Sequence, residues 1–471
     1  MNRRGFLGTM AAAALPAAGA ARRPNIVFIL TDDQGYGDIA CLGNPVVKTP
    51  HLDRFHGESV CFTDFQASPT CAPTRSALMT GRHEFKSGVT HTIQERERMS
   101  LKATTVAQVL QSAGYSTGIF GKWHLGDAAS YQPGRRGFDE VFIHGCGGIG
   151  QHYPGTCGDA PGNTYFNPAI LHNGIFERTE GFCTDVFFDR GLAWIDSRRR
   201  QRKPFFAYIP TNAPHAPLSC PARYREMYRG AGLDDATATF FGMVTNIDDN
   251  VGRLLGKLKE WDLERNTVVV FMTDNGGTGG VKVFNAGMRG MKNTPWQGGT
   301  RVPFFVRWPG VYRPRNEGRL AAHIDFFPTM AEIGGARLPA GLQLDGRSLV
   351  PLLRRPDAPW PDRFLFTHVG RWETGKAAEA KYTRCRVRNG RFSMVSLGPA
   401  KQWQMYDLSN DPGEQTDVIA HNQALAARMD AAYDRWWEEI LPCLENENAV
   451  PPAENPFVEL YRRQFGGVPR Q

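Results

Sequence analysis

The sequence lacks any apolar run of the length that a membrane-spanning helix needs, about 20 residues. Its 471 residues carry a formal net charge of +8, and its one short basic run, RRRQRK at 198–203, is expected at an exposed helix end. Internal repeats and low-complexity segments are absent too. These absences argue against stable membrane insertion, a nucleic-acid partner and a repeat array, whereas the modest positive charge suits an anionic substrate. A hydrophobic content of 41% is enough for a large core, so a folded chain is predicted.

The first 20 residues differ in kind from the rest. Residues 2–8 read NRRGFLG, a twin-arginine start, and an apolar run over 9–17 and the small residues AGA at 18–20 follow. This order is typical of an export signal read by the twin-arginine export machinery. The sequence therefore predicts an exported protein, periplasmic or extracellular, with residues 1–20 as its signal.

Short apolar runs rich in β-formers alternate with helical patterns along most of the chain. Such runs lie at 25–30, 116–120, 205–209 and 267–272, and the clearest helical pattern covers about 236–261. Continuous apolar runs fit strands that are buried on both faces. The alternation predicts an α/β fold with a large, mostly parallel central sheet and helices on both faces, in which ligands bind beyond the carboxyl ends of the strands.

From about residue 356 the pattern changes to closely spaced short strands. These are predicted at 363–368, 382–388, 390–395 and 403–407, and an amphipathic helix follows over 422–439. They predict a small C-terminal antiparallel sheet with one helix. The predicted organisation is an export signal (1–20), an α/β domain that holds the active site (21–355), a C-terminal α+β subdomain (356–445) and a C-terminal tail (446–471).

Polar residues follow each of the four buried strands. They are Asp32 and Asp33 after the first, Lys122 and His124 after the second, His215 after the third, and Asp274 and Asn275 after the fourth. Three carboxylates and an amide are hard oxygen ligands, which suit Ca²⁺ or Mg²⁺ better than zinc or copper. The first acidic pair alone is more typical of a turn or a helix cap, but the second pair at another strand end favours a metal site.

The histidines and lysines of these segments suit an anionic substrate. Lys122, His124, His215 and the later Lys292 could contact a tetrahedral anion and move protons. Taken singly, each is also compatible with a place on the surface or in the core.

Cys71 lies in the stretch SPTCAPTRSALMTGR at 68–82, which predicts a reactive side chain on the first turn of a helix. Pro73 is tolerated there because an N-terminal amide has no partner within the helix. Free amides and the helix dipole favour an anion at Cys71, and Arg75 supplies a fixed cation one turn later. This pattern is short and is weak evidence unless other motifs support it.

Together these motifs resemble those of the type I, formylglycine-dependent sulfatases, which are arylsulfatase-like members of the alkaline phosphatase superfamily. The matching segments are CAPTR at 71–75 with TGR at 80–82, DDQGYGD at 32–38, GKWHLG at 121–126, PHAP at 214–217, TDNGG at 273–277, GMK at 290–292, WQGGTRVP at 296–303 and YDLSNDPGE at 406–414. The resemblance covers nearly the whole chain from residue 25 to 414. It departs at Gln297, where such enzymes more often carry glutamate.

The resemblance implies that Cys71 is oxidised to formylglycine by a separate maturation enzyme. It implies Ca²⁺, rather than Mg²⁺, as the metal, with the ligands Asp32, Asp33, Asp274, Asn275 and the modified Cys71. Arg75 and Lys122 would hold the modified residue, His124 would accept a proton, and His215 and Lys292 would orient the sulfate, with His215 protonating the leaving alcohol. Lys122, His215 and Lys292 would thus also contact substrate.

The resemblance further implies hydrolysis of a sulfate ester, on a sulfated carbohydrate in nature and on aryl sulfates in vitro. The alternatives are a phosphomonoester or phosphonate hydrolase of the same superfamily and, if Cys71 is never matured, a non-catalytic sulfated-glycan-binding protein. A long loop over 145–153, continuing through 163–166, is expected near the strand ends. Its aromatic residues and His152 could contact a sugar ring, or could equally pack within the loop.

Overall fold

The computed structural model describes residues 23–151 and 158–466. The predicted export signal and His152 lie outside these ranges, so the structure says nothing of them. Within the described ranges, no helix combines the length and apolarity that crossing a bilayer requires.

The strands are Asn25–Thr31 (β1), Val60–Gln66 (β2), Ser116–Lys122 (β3), Glu140–His144 (β4), Ala169–His172 (β5), Ile175–Arg178 (β6), Phe205–Pro210 (β7), Thr267–Thr273 (β8), Arg301–Arg307 (β9), Arg315–Glu317 (β10), Ala321–Ala322 (β11), Leu365–His368 (β12), Cys385–Arg388 (β13), Phe392–Ser396 (β14) and Gln404–Asp407 (β15).

The α-helices are Pro50–Gly57 (α1), Cys71–Thr80 (α2), Val106–Ser112 (α3), Cys183–Arg200 (α4), Ala222–Glu226 (α5), Asp235–Glu260 (α6), Gln297–Thr300 (α7), Phe326–Ile333 (α8), Val350–Arg354 (α9), Gln423–Ile440 (α10) and Pro456–Phe465 (α11).

The large sheet has the strand order β10-β2-β9-β8-β1-β7-β3-β4-β5-β6, with β11 beside β2. Its centre, β8-β1-β7-β3-β4, is parallel throughout, whereas β9 and the β5-β6 hairpin run antiparallel to their neighbours. The predicted fold class is confirmed, with a mixed character toward the two edges of the sheet.

Strand β1 illustrates why the sheet is covered on both faces. All seven of its residues are buried. Because side chains alternate along a strand, Ile26 and Phe28 pack into one hydrophobic cluster while Val27 and Ile29 pack into another on the opposite face. Neighbouring strands and helices on each face supply the rest of these clusters, which is the burial pattern expected of a central parallel strand.

The predicted helices are confirmed, and their ends follow from local chemistry. Helix α6 begins where the Asp234 carboxylate accepts a hydrogen bond from the Thr237 amide at 2.8 Å. Helix α3 begins with a capping box in which the side chains of Thr105 and Gln108 satisfy each other's backbone amides. Helix α2 ends at Gly81, whose φ of 65° is left-handed.

The C-terminal strands β12 to β15 form the predicted antiparallel sheet, and α10 packs on it. Residues 456–465, which sequence analysis assigned to a tail, form α11 instead. The Asn455 side chain caps this helix, and Phe457 and Tyr461 pack on Phe176 of β6 with ring centroids 5.8 and 5.5 Å apart. Helix α11 is thereby fixed to the edge of the large sheet.

Candidate active site

The acidic pairs after β1 and β8 lie side by side because these two strands are parallel neighbours in register. The Asp33 amide donates to Asp274 Oδ1 at 3.2 Å, and Asn275 Nδ2 donates to Asp33 Oδ1 at 3.0 Å. Asp32, Asp274 and Asn275 are fully buried, and Asp33 is 5% exposed. The structure therefore brings all four predicted metal ligands into one buried cluster.

Glycines allow the loops around this cluster to approach closely. A Cβ placed on Gly276 would lie 1.9 Å from the carbonyl oxygen of Gly298, and one on Gly35 would lie 2.7 Å from the Cα of Gly277. Any larger residue would push these backbones apart. The glycines next to the acidic pairs thus fix how near the two carboxylate-bearing loops come.

Cys71 is the first residue of α2 and is 3% exposed. Ligand atoms of Cys71, Asp32 and Asp274 all lie within 4.8 Å of one another. Burial raises the pKa of the Cys71 thiol, but the positive charges of Lys122 and Lys292 more than offset it and leave the pKa below its ordinary value. The side chain thus sits in an electropositive pocket at a helix N-terminus.

Two buried cations, Arg75 and Lys122, tie Cys71 to the acidic cluster. Arg75 Nη2 lies 2.8 Å from Asp274 Oδ2 and 3.7 Å from Asp32 Oδ2, and Arg75 Nη1 donates to the Lys122 carbonyl at 3.2 Å. The Lys122 ammonium forms an ion pair with Asp32. Burial lowers the pKa of Lys122, but the negative charge of Asp32 outweighs this effect. The pKa of Lys122 therefore lies above its ordinary value, and the group is charged.

His124 lies just after β3 with one ring nitrogen bonded and the other free. Nε2 lies 2.8 Å from the carbonyl oxygen of Thr92, so this nitrogen carries the hydrogen. Nδ1 is buried and has no hydrogen-bond partner among the described residues. Burial, reinforced by Lys122, lowers the pKa of His124 well below its ordinary value. A neutral imidazole with an unused lone pair is a base.

His215 and Lys292 approach the cluster from the solvent side. Lys292 Nζ lies 2.5 Å from Asp33 Oδ1, and His215 Nε2 lies 3.9 Å from Asp33 Oδ2. The side chains of His215 and Lys292 are 13% and 11% exposed, whereas those of Arg75 and Lys122 are at most 1% exposed. The site therefore opens where His215 and Lys292 lie.

The predicted long loop does lie against the site. A Cβ on Gly147 would be 2.8 Å from His124 Cε1, and one on Gly148 would be 3.2 Å from His215 Nδ1. Of the loop aromatics, Tyr165 is buried, stacks on Phe182 and donates its hydroxyl to the His215 carbonyl at 2.5 Å. Tyr165 thus packs within the protein rather than facing a substrate.

The oxygen cluster fits a hard divalent cation. Asp32 Oδ1 and Asn275 Oδ1 are buried without a hydrogen-bond partner among the described residues. Burial, partly offset by Lys122, raises the pKa of Asp32 to about 6. Buried acids and unused oxygens of this kind are costly unless a cation compensates them. Asp32, Asp33, Asp274 and Asn275 would hold it, as sequence analysis expects.

The charges of the site nearly cancel. The carboxylates of Asp32, Asp33 and Asp274 face the cations of Arg75, Lys122 and Lys292. A divalent cation would leave an excess of about two positive charges, to which the neutral His124 adds none. That excess suits an anionic ester together with an ionising nucleophile.

Some positioning residues have no signal in the sequence. Thr92 holds His124 through its carbonyl, and Asn212 Oδ1 accepts from the Ile149 amide at 3.2 Å and so anchors the loop next to His215. Gln297, the departure from the family motif, is buried beside the site, where its Oε1 accepts from Arg388 Nη1 at 3.2 Å. Only the fold reveals these contacts, because each joins segments far apart in the chain.

The fold is shared with solved structures. Ps i-CgsB in complex with k-i-k-neocarrahexaose aligns with a TM-score of 0.81 and 26% identity, covering 94% of this chain and 97% of that one. The phosphonate monoester hydrolase of Agrobacterium radiobacter aligns with a TM-score of 0.63 at 21% identity, over 90% of this chain and 96% of that one. The fold and the clustered oxygen ligands define a hydrolase of the alkaline phosphatase superfamily.

The family follows from comparison of the sequences. The Sulfatase family model matches residues 24–336, and the model for the C-terminal part of N-sulphoglucosamine sulphohydrolase matches residues 292–434. Human arylsulfatase A is 31% identical over 88% of this chain and 89% of its own length. Mouse arylsulfatase J is also 31% identical, over 70% of this chain but 56% of its own length. The chain belongs to the sulfatase family, the sulfuric ester hydrolases.

Proposed function

We propose that this sulfatase hydrolyses a sulfate ester on a sulfated carbohydrate, using a formylglycine formed from Cys71 and a bound Ca²⁺. The proposal rests on one observation above all: Cys71 is buried at the start of α2, and its sulfur lies within 4.8 Å of a carboxylate oxygen of Asp32 and of Asp274. A cysteine in such a position is a poor nucleophile for this reaction, because a thiol that attacked sulfur would remain as a stable thiosulfate.

Conversion of Cys71 removes this difficulty. When Cys71 carries formylglycine, its hydrated aldehyde supplies one hydroxyl to attack sulfur and a second whose ionisation expels sulfate and restores the aldehyde. The sulfur of the thiol plays no part in this reaction, so the encoded cysteine serves as the precursor of the aldehyde.

The fixed cations would hold the modified residue in place. Arg75 is anchored by Asp274 and by the Lys122 carbonyl, and Lys122 is anchored by Asp32, so neither needs to reorganise during the reaction. Preorganised positive groups of this kind are usually the largest single contribution to catalysis. Ca²⁺, bound by Asp32, Asp33, Asp274 and Asn275, would add Lewis-acid stabilisation of the sulfate oxygens.

The two histidines suit opposite proton transfers. The unpartnered Nδ1 of neutral His124 can accept the proton of the second hydroxyl. His215 and Lys292 lie at the open side, where the leaving alcohol would sit, so His215 can protonate that alcohol while Lys292 orients the sulfate. General acid catalysis by such a group contributes roughly 10²- to 10⁴-fold in rate.

Maturation would precede export. Twin-arginine substrates cross the membrane folded, and Cys71 is 3% exposed in the fold. A maturation enzyme must therefore reach Cys71 before α2 packs, in the cytoplasm. The proposed location of the mature enzyme is periplasmic or extracellular.

A carbohydrate substrate is supported by the structural neighbour that binds an oligosaccharide, Ps i-CgsB with k-i-k-neocarrahexaose. His152 remains a proposed sugar contact. The shared fold of the phosphonate monoester hydrolase keeps a phosphate or phosphonate ester as the second candidate substrate. A non-catalytic glycan-binding role is the outcome if Cys71 is never matured.

Sulfate release separates these alternatives. Protein produced with a formylglycine-generating enzyme is assayed on defined sulfated mono- and oligosaccharides, on an aryl sulfate and on the matching phosphate esters, beside its Cys71→Ala variant. We expect sulfate release that falls at least about 10³-fold in the variant. Preferential cleavage of the phosphate esters, or unchanged sulfate release by Cys71→Ala, would contradict the proposal.

A further inference from the structure

A cationic patch formed by His91, Arg371 and Arg384 borders the active site on the side of the C-terminal subdomain. Arg371 Nη2 donates to Thr92 Oγ1 at 2.8 Å, and the carbonyl oxygen of the same threonine lies 2.8 Å from His124 Nε2. Two hydrogen bonds through one residue keep the Arg371 guanidinium within about 10 Å of the His124 ring. A single residue, Thr92, thus separates the Arg371 guanidinium of the patch from the His124 ring.

The three residues of the patch are close enough to interact electrostatically. Burial, followed by neighbouring cations that include Arg371 and Arg384, lowers the pKa of His91 to about 3. His91 Nδ1 accepts from the Thr92 and Ile93 amides at 2.8 and 3.1 Å, so Nε2 carries the hydrogen. The patch thus presents two guanidinium groups and one neutral N–H donor.

Neither arginine of the patch has an acidic partner. Among the described residues, no carboxylate oxygen lies within 4.0 Å of a nitrogen of Arg371 or Arg384. Burial and then the charge of Arg371 lower the pKa of Arg384, with no acidic group opposing them. Other arginines of the same subdomain do find carboxylates, such as Arg388 with Asp64 and Arg391 with Asp407. Two adjacent, half-buried, uncompensated cations are unfavourable without an anion.

The backbone also holds these arginines in place. Arg371 has a φ of 61° and Arg384 a φ of 49°, both left-handed conformations that a long side chain rarely adopts. The Arg371 amide donates to the Thr90 carbonyl at 3.2 Å, and a Cβ on the preceding Gly370 would lie 2.0 Å from that same oxygen. Strained positions that the surrounding fold maintains are typical of functional sites.

We propose that His91, Arg371 and Arg384 form a second anion subsite, which binds a sulfate or carboxylate group on the sugar next to the one whose sulfate ester is cleaved. Guanidinium groups recognise both anions through paired N–H donors, and Arg371 Nε is buried without a partner among the described residues. The inference rests on the proposed function and narrows its substrate class to glycans with at least two anionic groups.

Binding to protein that cannot turn over tests the subsite separately from catalysis. The Cys71→Ala protein is titrated by calorimetry with a disaccharide that carries one sulfate, the same disaccharide with a second sulfate on the neighbouring sugar, and one with a carboxylate there. We expect the second anion to tighten binding about 10- to 100-fold, the range of a charged hydrogen-bonded contact. The sulfate and carboxylate arms distinguish a second sulfate ester from a uronate, and tighter binding in either arm supports the subsite.

Substitutions of the patch identify the groups responsible. The Arg384 side chain makes no hydrogen bond among the described residues, so Arg384→Gln should remove most of the gain in affinity that the second anion brings. Arg371→Lys should weaken this gain through loss of the paired donors. Arg428→Gln makes the same charge change at an exposed position on α10 and should keep the gain. Thermal unfolding verifies that each variant is folded.

Two results would overturn the subsite: no tighter binding of either two-anion ligand, or an undiminished gain in Arg384→Gln. Failure of the proposed function gives a different result. In that case the matured enzyme releases no sulfate from any ester, whereas the binding comparison still reports on the patch.

Discussion

The two histidines of the site use their ring nitrogens in opposite ways. His124 donates through Nε2 to Thr92 and leaves Nδ1 unused, whereas His215 has its Nδ1 2.6 Å from the Ala216 carbonyl and turns Nε2 toward Asp33. His124 is buried and His215 is at the opening. This asymmetry is the physical basis for assigning the base to one and the acid to the other.

The acid assignment predicts a dependence on the leaving group. Replacing His215 with Gln should lower kcat about 10²- to 10⁴-fold for a sugar sulfate, because an alkoxide leaves poorly without a proton. For an aryl sulfate with an acidic phenol, the loss should be much smaller. Steady-state kinetics on both substrates measure the difference.

His124→Gln serves as the comparison, because a base that acts after the alcohol has left should cost both substrates equally. The pKa of His215 is lowered from 6.5 by burial, partly opposed by Asp33. Loss of its proton should therefore make kcat for the sugar sulfate decline with rising pH from below pH 6.5. Equal losses for both esters in His215→Gln would argue against the acid role.

For single residues, the sequence identifies the reactive side chains better than the contacts that position them. Asp32, Asp274, Cys71 and Arg75 are predictable because short motifs at strand ends and at one helix start carry them. Thr92 is not predictable, because its contribution is a backbone carbonyl, which any residue has. Arg371 and Arg384 are not predictable either, because their proposed role depends on the lack of an acidic partner among the described residues.

Among the elements, the loop over residues 145–151 constrains both histidines of the site. It follows β4, and a Cβ on Gly147 would lie 2.8 Å from His124 Cε1 while one on Gly148 would lie 3.2 Å from His215 Nδ1. A side chain there would have to displace the imidazole, since no flexible group separates them.

Gly147→Ala should therefore reduce kcat with little loss of stability. The added methyl would lie 2.8 Å from His124 Cε1, which forces the ring or the loop to move. A shift of about 1 Å near reacting groups can cost about 10²-fold in rate. Kinetics and thermal unfolding of the same preparation measure the two effects.

Gly256→Ala in α6 is the matched control, because its Cβ meets nothing within 4 Å. It should leave kcat unchanged and stabilise the protein by about 0.5 to 1 kcal/mol, as alanine favours helix interiors. Unaltered kcat in Gly147→Ala would mean that the loop does not constrain His124.

The elements with strong hydrophobic patterns were predictable, whereas helix α11 was not. Strand β1 and helix α6 follow from strong hydrophobic patterns that tertiary contacts do not alter. Helix α11 was missed because it is short, follows a Pro-rich stretch and depends on Phe457 and Tyr461 packing against β6. Local sequence does not contain that partner.

For the whole molecule, we propose that the α/β domain and the C-terminal subdomain divide near residue 355, between α9 and β12. The two units are joined by buried polar contacts: Arg386 Nη2 donates to Gln66 Oε1 and Thr300 Oγ1, both at 2.7 Å, and Glu414 Oε2 accepts from the Gln297 amide at 2.9 Å. Such contacts are costly to separate. The C-terminal unit is thereby held where Arg371 and Arg384 can reach the site.

Metal binding should stabilise the whole chain. If the acidic cluster binds Ca²⁺ only in the folded state, Ca²⁺ at 100 times its dissociation constant adds about 2.7 kcal/mol to the free energy of unfolding. We expect chelation to lower the Tm and Ca²⁺ to restore it. Scanning calorimetry over a Ca²⁺ titration measures the shift.

Asp274→Asn should abolish this Ca²⁺ response, whereas Asp357→Asn should keep it. Asp357 is exposed and belongs to none of the groups of described residues that could hold a metal ion. If neither the chelator nor Ca²⁺ changes the Tm, the negative charge of the cluster is compensated by Arg75, Lys122 and Lys292 alone.

The central claim is that the encoded Cys71 is a precursor and not the nucleophile. Mass analysis of the peptide that contains Cys71, in preparations made with and without the maturation enzyme, tests this most directly when sulfate release is measured on the same samples. We expect kcat to rise in proportion to the fraction of aldehyde at Cys71 and to vanish when that fraction is zero. Full activity in protein whose Cys71 is entirely an unmodified thiol would contradict the claim.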